Sequence, residues 1–210
     1  MKDPYLYPNT EILINKFDIK DADTLNALEA DFTSSRLKDI IQNGIEGDFN
    51  LEHLLKFHYT IFQDIYYWAG QVRTINIEKP EPALGGISIE YSDINKIESD
   101  IITVLSELKS IKWNELNIQG KSISFSKFMA ELWKIHPFRE GNTRTIVTFC
   151  CYYAEKEEFP LDTDLLKDNS DYVRNALVAA SAVFHDLGDR SNLEYLTRII
   201  DDAINRGKNV

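Results

Sequence analysis

His136-Pro137-Phe138-Arg139-Glu140-Gly141-Asn142-Thr143-Arg144 lies between two helical patterns, and the fold is read outward from it. Upstream, Phe125, Phe128, Leu132 and Ile135 recur at helical spacing, with Gly120 just before them. Downstream, Ile146, Phe149, Cys150 and Tyr153 resume the pattern until Pro160. Pro137 lacks a backbone donor and clashes with the preceding turn, so the chain must turn there. The nine positions therefore form an interhelical loop crowded with chemistry.

Each loop residue has a distinct capacity. His136 can take a proton near neutral pH, as activation of a hydroxyl nucleophile requires. Phe138 anchors the loop in the core. Glu140 offers hard oxygens of the kind Mg²⁺ takes together with substrate phosphates. Gly141 allows backbone to approach a phosphate closely. Asn142, Thr143 and Arg144 open the next helix, whose free N–H groups and dipole attract anions. Arg144 adds a planar, permanently charged fork. Singly, each could be a capped turn with solvated polar groups. As an ordered set, chance would produce them in about one in 10⁵ chains of this length.

The rest of the chain reads as scaffold. Residues 5–10 are extended and broken by Pro8. A helix is expected over Asp21 to Ile41. A stronger one starts from Asp48-Phe49-Asn50, runs through Leu51, Leu54, Leu55, His58, Tyr59, Phe62 and Ile65, and ends at Trp68-Ala69-Gly70. His53 and His58 lie on it as core histidines. Val72–Ile77 and Ile87–Tyr91 alternate around Lys79-Pro80-Glu81-Pro82 and Gly85-Gly86, the one strand signal, read as a β-hairpin with a long tip. Its edges could pair with an extended segment of another protein, or it could be a mere connector. Ser92 is the expected N-cap of a helix carrying Ile94, Ile97, Ile101, Val104, Leu105 and Leu108. Two further helices are expected over Ser170–His185 and Ser191–Arg206. The expectation is an all-α, compact multi-helix bundle with one small β-hairpin flap. It forms a single domain over 1–210, with the segment to about residue 45 and a helix over about 191–206 extending the core.

Bulk composition narrows the function. Lys and Arg number 23 against 34 Asp and Glu, a formal charge of −11, which disfavours general nucleic-acid binding. A local cluster of cations and N–H groups can still hold a nucleotide. No apolar run reaches membrane-span length, and Met1-Lys2-Asp3-Pro4 does not read as a targeting signal. Cys150 and Cys151 are adjacent, so they point in different directions on a helix and lack metal-site spacing. A reducing, cytoplasmic setting is expected. The acidic surface and aromatic residues permit a homodimer without requiring one.

His136 to Arg144 closely resembles the signature loop of the Fic family, within the Fic/Doc superfamily. Tyr7-Pro8-Asn9-Thr10, Ile61-Phe62, Tyr67-Trp68-Ala69-Gly70 with Arg73, and the ribbon upstream of the loop extend the resemblance over most of the chain. The resemblance implies transfer of AMP from ATP to a hydroxyl side chain of a target protein, with release of pyrophosphate. It makes His136 the base and Glu140 the Mg²⁺ ligand. Gly141, Asn142 and Thr143 become the anion hole, with Asn142 positioning the α-phosphate, and Arg144 the β-phosphate contact. The ribbon becomes a flap that docks the target through Ile75, Ile77, Ile87 and Ile89. The Ser170–His185 helix, with Tyr172, would help enclose adenine.

Two positions depart from the pattern. Thr143 stands where Gly or Lys is usual. Val147 stands where many members carry a second arginine, which contacts the γ-phosphate and is clamped by a glutamate in autoinhibited members. Arg139 and Arg73 are candidates to replace it. The usual inhibitory spacing, Ser or Thr with Glu four residues on, is absent at Thr33-Ser34-Ser35, Ser191 and Thr197. Restraint would then come from an antitoxin-like protein, oligomerisation or another segment. Three readings stay open: protein AMP-transferase of toxin type, a phosphotransferase or other nucleotidyl transferase, and a silent ATP-binding interaction module.

Overall fold

A computed structural model describes residues 3–207. Met1 and Lys2, which open the stretch read for a targeting signal, lie outside the described residues. The helices are α1 Ala22–Asn43, α2 Leu51–Phe62, α3 Ile97–Ser110, α4 Ile118–Ile135, α5 Asn142–Lys156, α6 Thr163–Asp168, α7 Ser170–Ala180 and α8 Glu194–Gly207. Single 3₁₀ turns occur at Pro82–Leu84 and Trp113–Glu115. Between α7 and α8, β1 Val183–Phe184 pairs antiparallel with β2 Gly188–Asp189. Among the described residues no helix is long and apolar enough to cross a membrane.

α4 is the axis of the bundle, packing against α3, α5, α7 and α8. Phe125, Met129, Leu132 and Trp133 are wholly buried on it. Each large apolar side chain removed from water contributes about 1.5–3 kcal/mol. α2 packs on α1, α3 and α5 from the other side, so the loop between α4 and α5 ends up beneath α2. Asp21, Asn50 and Asn117 cap α1, α2 and α4 by accepting N–H groups of Thr24, His53 and Gly120. Gly120 thus lies in the first turn of α4 rather than ahead of it.

Several expected boundaries move. α2 stops at Phe62, not at Trp68-Ala69-Gly70, and the chain turns back so that the Gly70 N–H reaches His58 Nδ1 at 2.8 Å. Ser92 does not cap α3, which starts only after Lys96 without a side-chain cap; the Ser92 carbonyl instead accepts Arg73. The Ser170–His185 helix ends at Ala180, where residues 183–189 form the hairpin, and the last helix starts at Glu194 rather than Ser191.

The expected hairpin over 72–91 is not a two-stranded ladder. The segment leaves α2, turns at Pro82–Leu84 and returns, with one isolated antiparallel bridge, Glu81 to Ile87. Pro80 and Pro82 have no N–H to donate. Other donors along the arms are captured elsewhere. The Lys79 N–H goes to Ser88 Oγ (3.0 Å), the Glu90 N–H to the Val183 carbonyl (3.0 Å) and the Arg73 N–H to the Pro137 carbonyl (2.8 Å). The alternation survives as burial: Ile89 is buried, Ile75 and Ile77 are half-buried and Ile87 is exposed. We call this segment the flap.

Candidate active site

The loop begins with backbone strain. His136 is the C-cap of α4 in the left-handed region, φ 51° and ψ 58°, where a side chain other than glycine's costs of order 1–3 kcal/mol. Its N–H still bonds to the Trp133 carbonyl at 3.0 Å. Arg73, buried at the root of the flap, clamps the turn with its N–H on the Pro137 carbonyl and its Nε on the His136 carbonyl (2.9 Å). Its remaining nitrogens donate to the carbonyls of Ile75 and Ser92. Arg73 is therefore consumed in shaping the loop.

The Asn142 side chain closes the loop into a ring: Oδ1 accepts the Phe138 N–H (2.9 Å) and Nδ2 donates to the Phe138 carbonyl (2.8 Å). Below, Phe138 stacks on His58 with centroids 3.8 Å apart and planes 10° from parallel. His58 Nδ1 accepts from Gly70, so Nε2 carries the proton and donates to the Glu140 carbonyl at 3.1 Å. Burial pushes the His58 pKa down to about 3, so this bridge is neutral. It is a core histidine, as expected, with an added duty that sequence spacing does not reveal.

Gly141 has φ +79°, and a Cβ there would lie 2.2 Å from Phe62 Cζ. That close approach requires glycine. The next three N–H groups, of Asn142, Thr143 and Arg144, form the open first turn of α5, whose first helical bond runs from the Thr145 N–H to the Gly141 carbonyl. Thr143 Oγ1 accepts the Trp133 indole N–H at 2.9 Å, which gives the threonine a packing role. Val147 is half-buried and packs on the core.

Charges converge on this mouth. Glu140 Oε1 accepts the Gly141 N–H (3.0 Å) and Oε2 pairs with Lys79 Nζ (3.0 Å) from the flap. Burial alone would raise the Glu140 pKa; Lys79, the Gly141 N–H and Arg139 more than offset it and leave the carboxyl below its ordinary value. Arg139 is held by Asp3 Oδ2 at 2.9 Å. Both terminal nitrogens of Arg144 reach back to α1, to Glu29 Oε1 (2.9 Å) and Thr33 Oγ1 (3.0 Å), and Glu29 Oε2 takes the Tyr66 hydroxyl. Thus Arg139, Arg73 and Arg144 all have partners within the chain.

His136 is buried, and neither ring nitrogen has a hydrogen-bond partner. Tyr91 of the flap lies over it, centroids 4.2 Å apart, and Trp133 meets it edge-on at 5.1 Å. Burial first, then the charges of Lys79 and Arg73, hold its pKa well below the ordinary value, so the imidazole is neutral. Tyr91 donates to Glu81 Oε1 (3.2 Å), and Arg174 of α7 pairs with the fully buried Glu81 at 2.8 Å. A relay of contacts therefore links α7, the flap and the imidazole.

The structure gathers His136, Glu140, Gly141, Asn142, Thr143 and Arg144 in one place, as their contiguity requires. Ile75, Ile77, Ile87 and Ile89 lie on the flap, while Tyr172 is exposed on α7 with its hydroxyl on the Tyr195 carbonyl. Sequence reasoning missed Glu29, Thr33, Lys79, Glu81, Tyr91 and Arg174. Glu29 and Thr33 carried a legible signal: both share the buried face of α1 with Leu25, polar residues at apolar spacing.

Comparison with known proteins agrees with this geometry. The model of the Fic/DOC family matches residues 48–154, from the cap of α2 through most of α5. The protein adenylyltransferase VbhT of Bartonella schoenbuchensis is 31% identical over 162 residues, which are 77% of this chain but only 33% of VbhT. The probable protein adenylyltransferase y4lH of Sinorhizobium fredii is 30% identical over 167 residues, covering 80% of this chain and 83% of that protein. The N-terminal Fic domain of a Bartonella effector protein from Bartonella sp. AR 15-3 superposes with a TM-score of 0.79 at 21% identity, covering 98% of this chain and 93% of that one. A Fic domain from Bartonella quintana, solved with ADP bound, gives 0.75 at 22% identity, with 95% and 93% covered. A family model matched over half of the chain, around the loop between α4 and α5, and a relative 30% identical over most of both lengths show that the chain belongs to the Fic/DOC family.

Proposed function

We propose that the protein is an adenylyltransferase that moves AMP from ATP to a hydroxyl side chain of a target protein. One observation carries the reading: a neutral, buried imidazole, an open helix N-terminus and a carboxylate meet on a single loop whose other polar groups are used up in holding its shape. Kinship with proteins named as adenylyltransferases supports the choice of group transferred.

In this reading the target hydroxyl oxygen attacks the α-phosphorus. A P–O bond to the target forms as the bond to the β-phosphate oxygen breaks, and pyrophosphate leaves. His136 takes the hydroxyl proton. The first-turn N–H groups of α5 receive the charge that develops on the phosphoryl oxygens. Asn142 supports them by holding the loop, and Arg144, in the same first turn, is a further phosphate contact at the expense of its bonds to Glu29 and Thr33. Glu140 suits Mg²⁺, since that ion commonly takes one carboxylate plus phosphate oxygens and water, and Lys79 already places a cation on the same oxygen. Bound there, Mg²⁺ would neutralise phosphate charge. Among the described residues no cluster of three His, Cys, Asp or Glu side chains could hold a metal, which suits an ion that would arrive with the nucleotide's phosphates.

Tyr91 covers His136, so a docking target segment must first lift the flap; Ile75, Ile77, Ile87 and Ile89 are its docking face. Residues 1–210 act as one unit in this reading. The free thiols of Cys150 and Cys151 suit a reducing cytoplasm.

The test is transfer of label from ATP to protein in a cell lysate containing Mg²⁺, with α- and γ-labelled ATP in parallel and His136→Ala beside each. Label from the α position alone, lost in the variant, is the expected result. Label from the γ position alone would make the protein a phosphotransferase. ATP binding with no transfer from either would make it an interaction module.

A further inference from the structure

A nucleotide triphosphate carries several negative charges into a protein whose own formal charge is −11, so nearby cations must offset the repulsion. The arginines around the loop are committed. Arg73 holds three backbone carbonyls, Arg139 holds Asp3, Arg144 holds Glu29 and Thr33, and Arg174 holds the buried Glu81. Freeing any of them strands a partly or fully buried acceptor, which costs more than an exposed pair would.

Lys79 differs in one respect. Among the described residues its only ion-pair partner is Glu140, the carboxylate suited to a divalent cation arriving with the nucleotide. Arrival of the metal–nucleotide therefore releases Lys79 without stranding any group. Its backbone stays fixed, because the Lys79 N–H is bonded to Ser88 Oγ across the flap. Its flexible four-carbon stem then lets a compact ammonium search the space beside Glu140. Position 147, one turn into α5, supplies only a half-buried valine.

We propose that Lys79 is a phosphate-binding residue of this site: its ammonium occupies Glu140 in the free protein and passes to the terminal phosphates when a metal–nucleotide binds. This deepens the adenylyltransferase reading and rests on it.

The test compares wild type, Lys79→Met and Lys79→Arg by calorimetric titration with ATP and with AMP in the presence of Mg²⁺. Lys79→Met should weaken ATP binding about tenfold or more, the loss expected for one charge-assisted bond, and leave AMP binding within about twofold. Lys79→Arg should restore most of the ATP affinity. Without nucleotide, Mn²⁺ binding followed by electron paramagnetic resonance should tighten in Lys79→Met, because the carboxylate has lost its competitor. ATP binding by Lys79→Met as tight as wild type, or equal losses for Met and Arg, would overturn the assignment while leaving the function standing. Wild-type protein that bound neither nucleotide would remove the function and the assignment together.

Discussion

His58 Nε2 holds the carbonyl of Glu140 at 3.1 Å across 82 positions of sequence, while its other nitrogen holds the Gly70 N–H at 2.8 Å. One uncharged ring thus ties α2, the post-helix turn and the loop between α4 and α5 together. Replacing it by alanine removes the stack on Phe138 and leaves two backbone groups unpaired. His58→Ala should lose about 3–5 kcal/mol in urea unfolding, the range for deleting a buried ring. His58→Gln, which can satisfy one of the two partners, should lose less.

Acid should weaken the fold through the same ring. The folded pKa of His58 is about 3 and lies below its unfolded value, while those of His53 and His136 are lowered as well. At mildly acidic pH the unfolded chain therefore binds protons that the folded chain refuses. Stability falls as pH drops below about 6.5, and the His58 share continues to be lost down toward pH 3, by up to about 1.4 kcal/mol per pH unit. Unfolding midpoints measured from pH 7 to pH 4 should show this slope, and His58→Gln should reduce it by the share of one proton.

Gly141→Ala should be severe for a local reason. The new Cβ would meet Phe62 at 2.2 Å, and φ +79° strains any side chain. A loss of about 2–4 kcal/mol is expected, combining overpacking with left-handed strain. Phe62→Leu in the same chain should recover part of it, and thermal unfolding of the single and double variants would measure the coupling.

Legibility in the sequence followed locality. α4, the loop and α5 were readable because helical period, Pro137 and Gly141 act over a few residues. The loop's chemistry was readable because it is contiguous. The flap was misread as a ladder because alternation reports which side chains face the bundle, not where backbone donors go. Those of Arg73, Lys79 and Glu90 go to Pro137, Ser88 and Val183. Ser92 failed as a cap because Arg73 claimed its carbonyl and α3 began later. Glu29 and Lys79 were missed because they meet the loop only through the fold, from 115 and 61 positions away.

Arg174→Met should loosen the flap. It removes the ion-pair partner of Glu81, whose side chain is fully buried, but since Arg174 itself is 38% exposed the loss should fall below the ~3–5 kcal/mol of a fully buried pair. Faster amide exchange over residues 79–91, with the loop between α4 and α5 still protected, is the expected signature. Exchange unchanged across the flap would show that the pair does not fasten it.

The roof that Tyr91 places over His136 also governs waste. With both nitrogens sealed from solvent, the imidazole as it stands offers no position at which a water molecule could give up a proton. Under the proposed transferase reading, the group that parts Tyr91 from the imidazole is the target segment, which brings its own hydroxyl. On that reading the covering that keeps the site at rest would also suppress idle hydrolysis of bound nucleotide and tie the use of ATP to the presence of an acceptor.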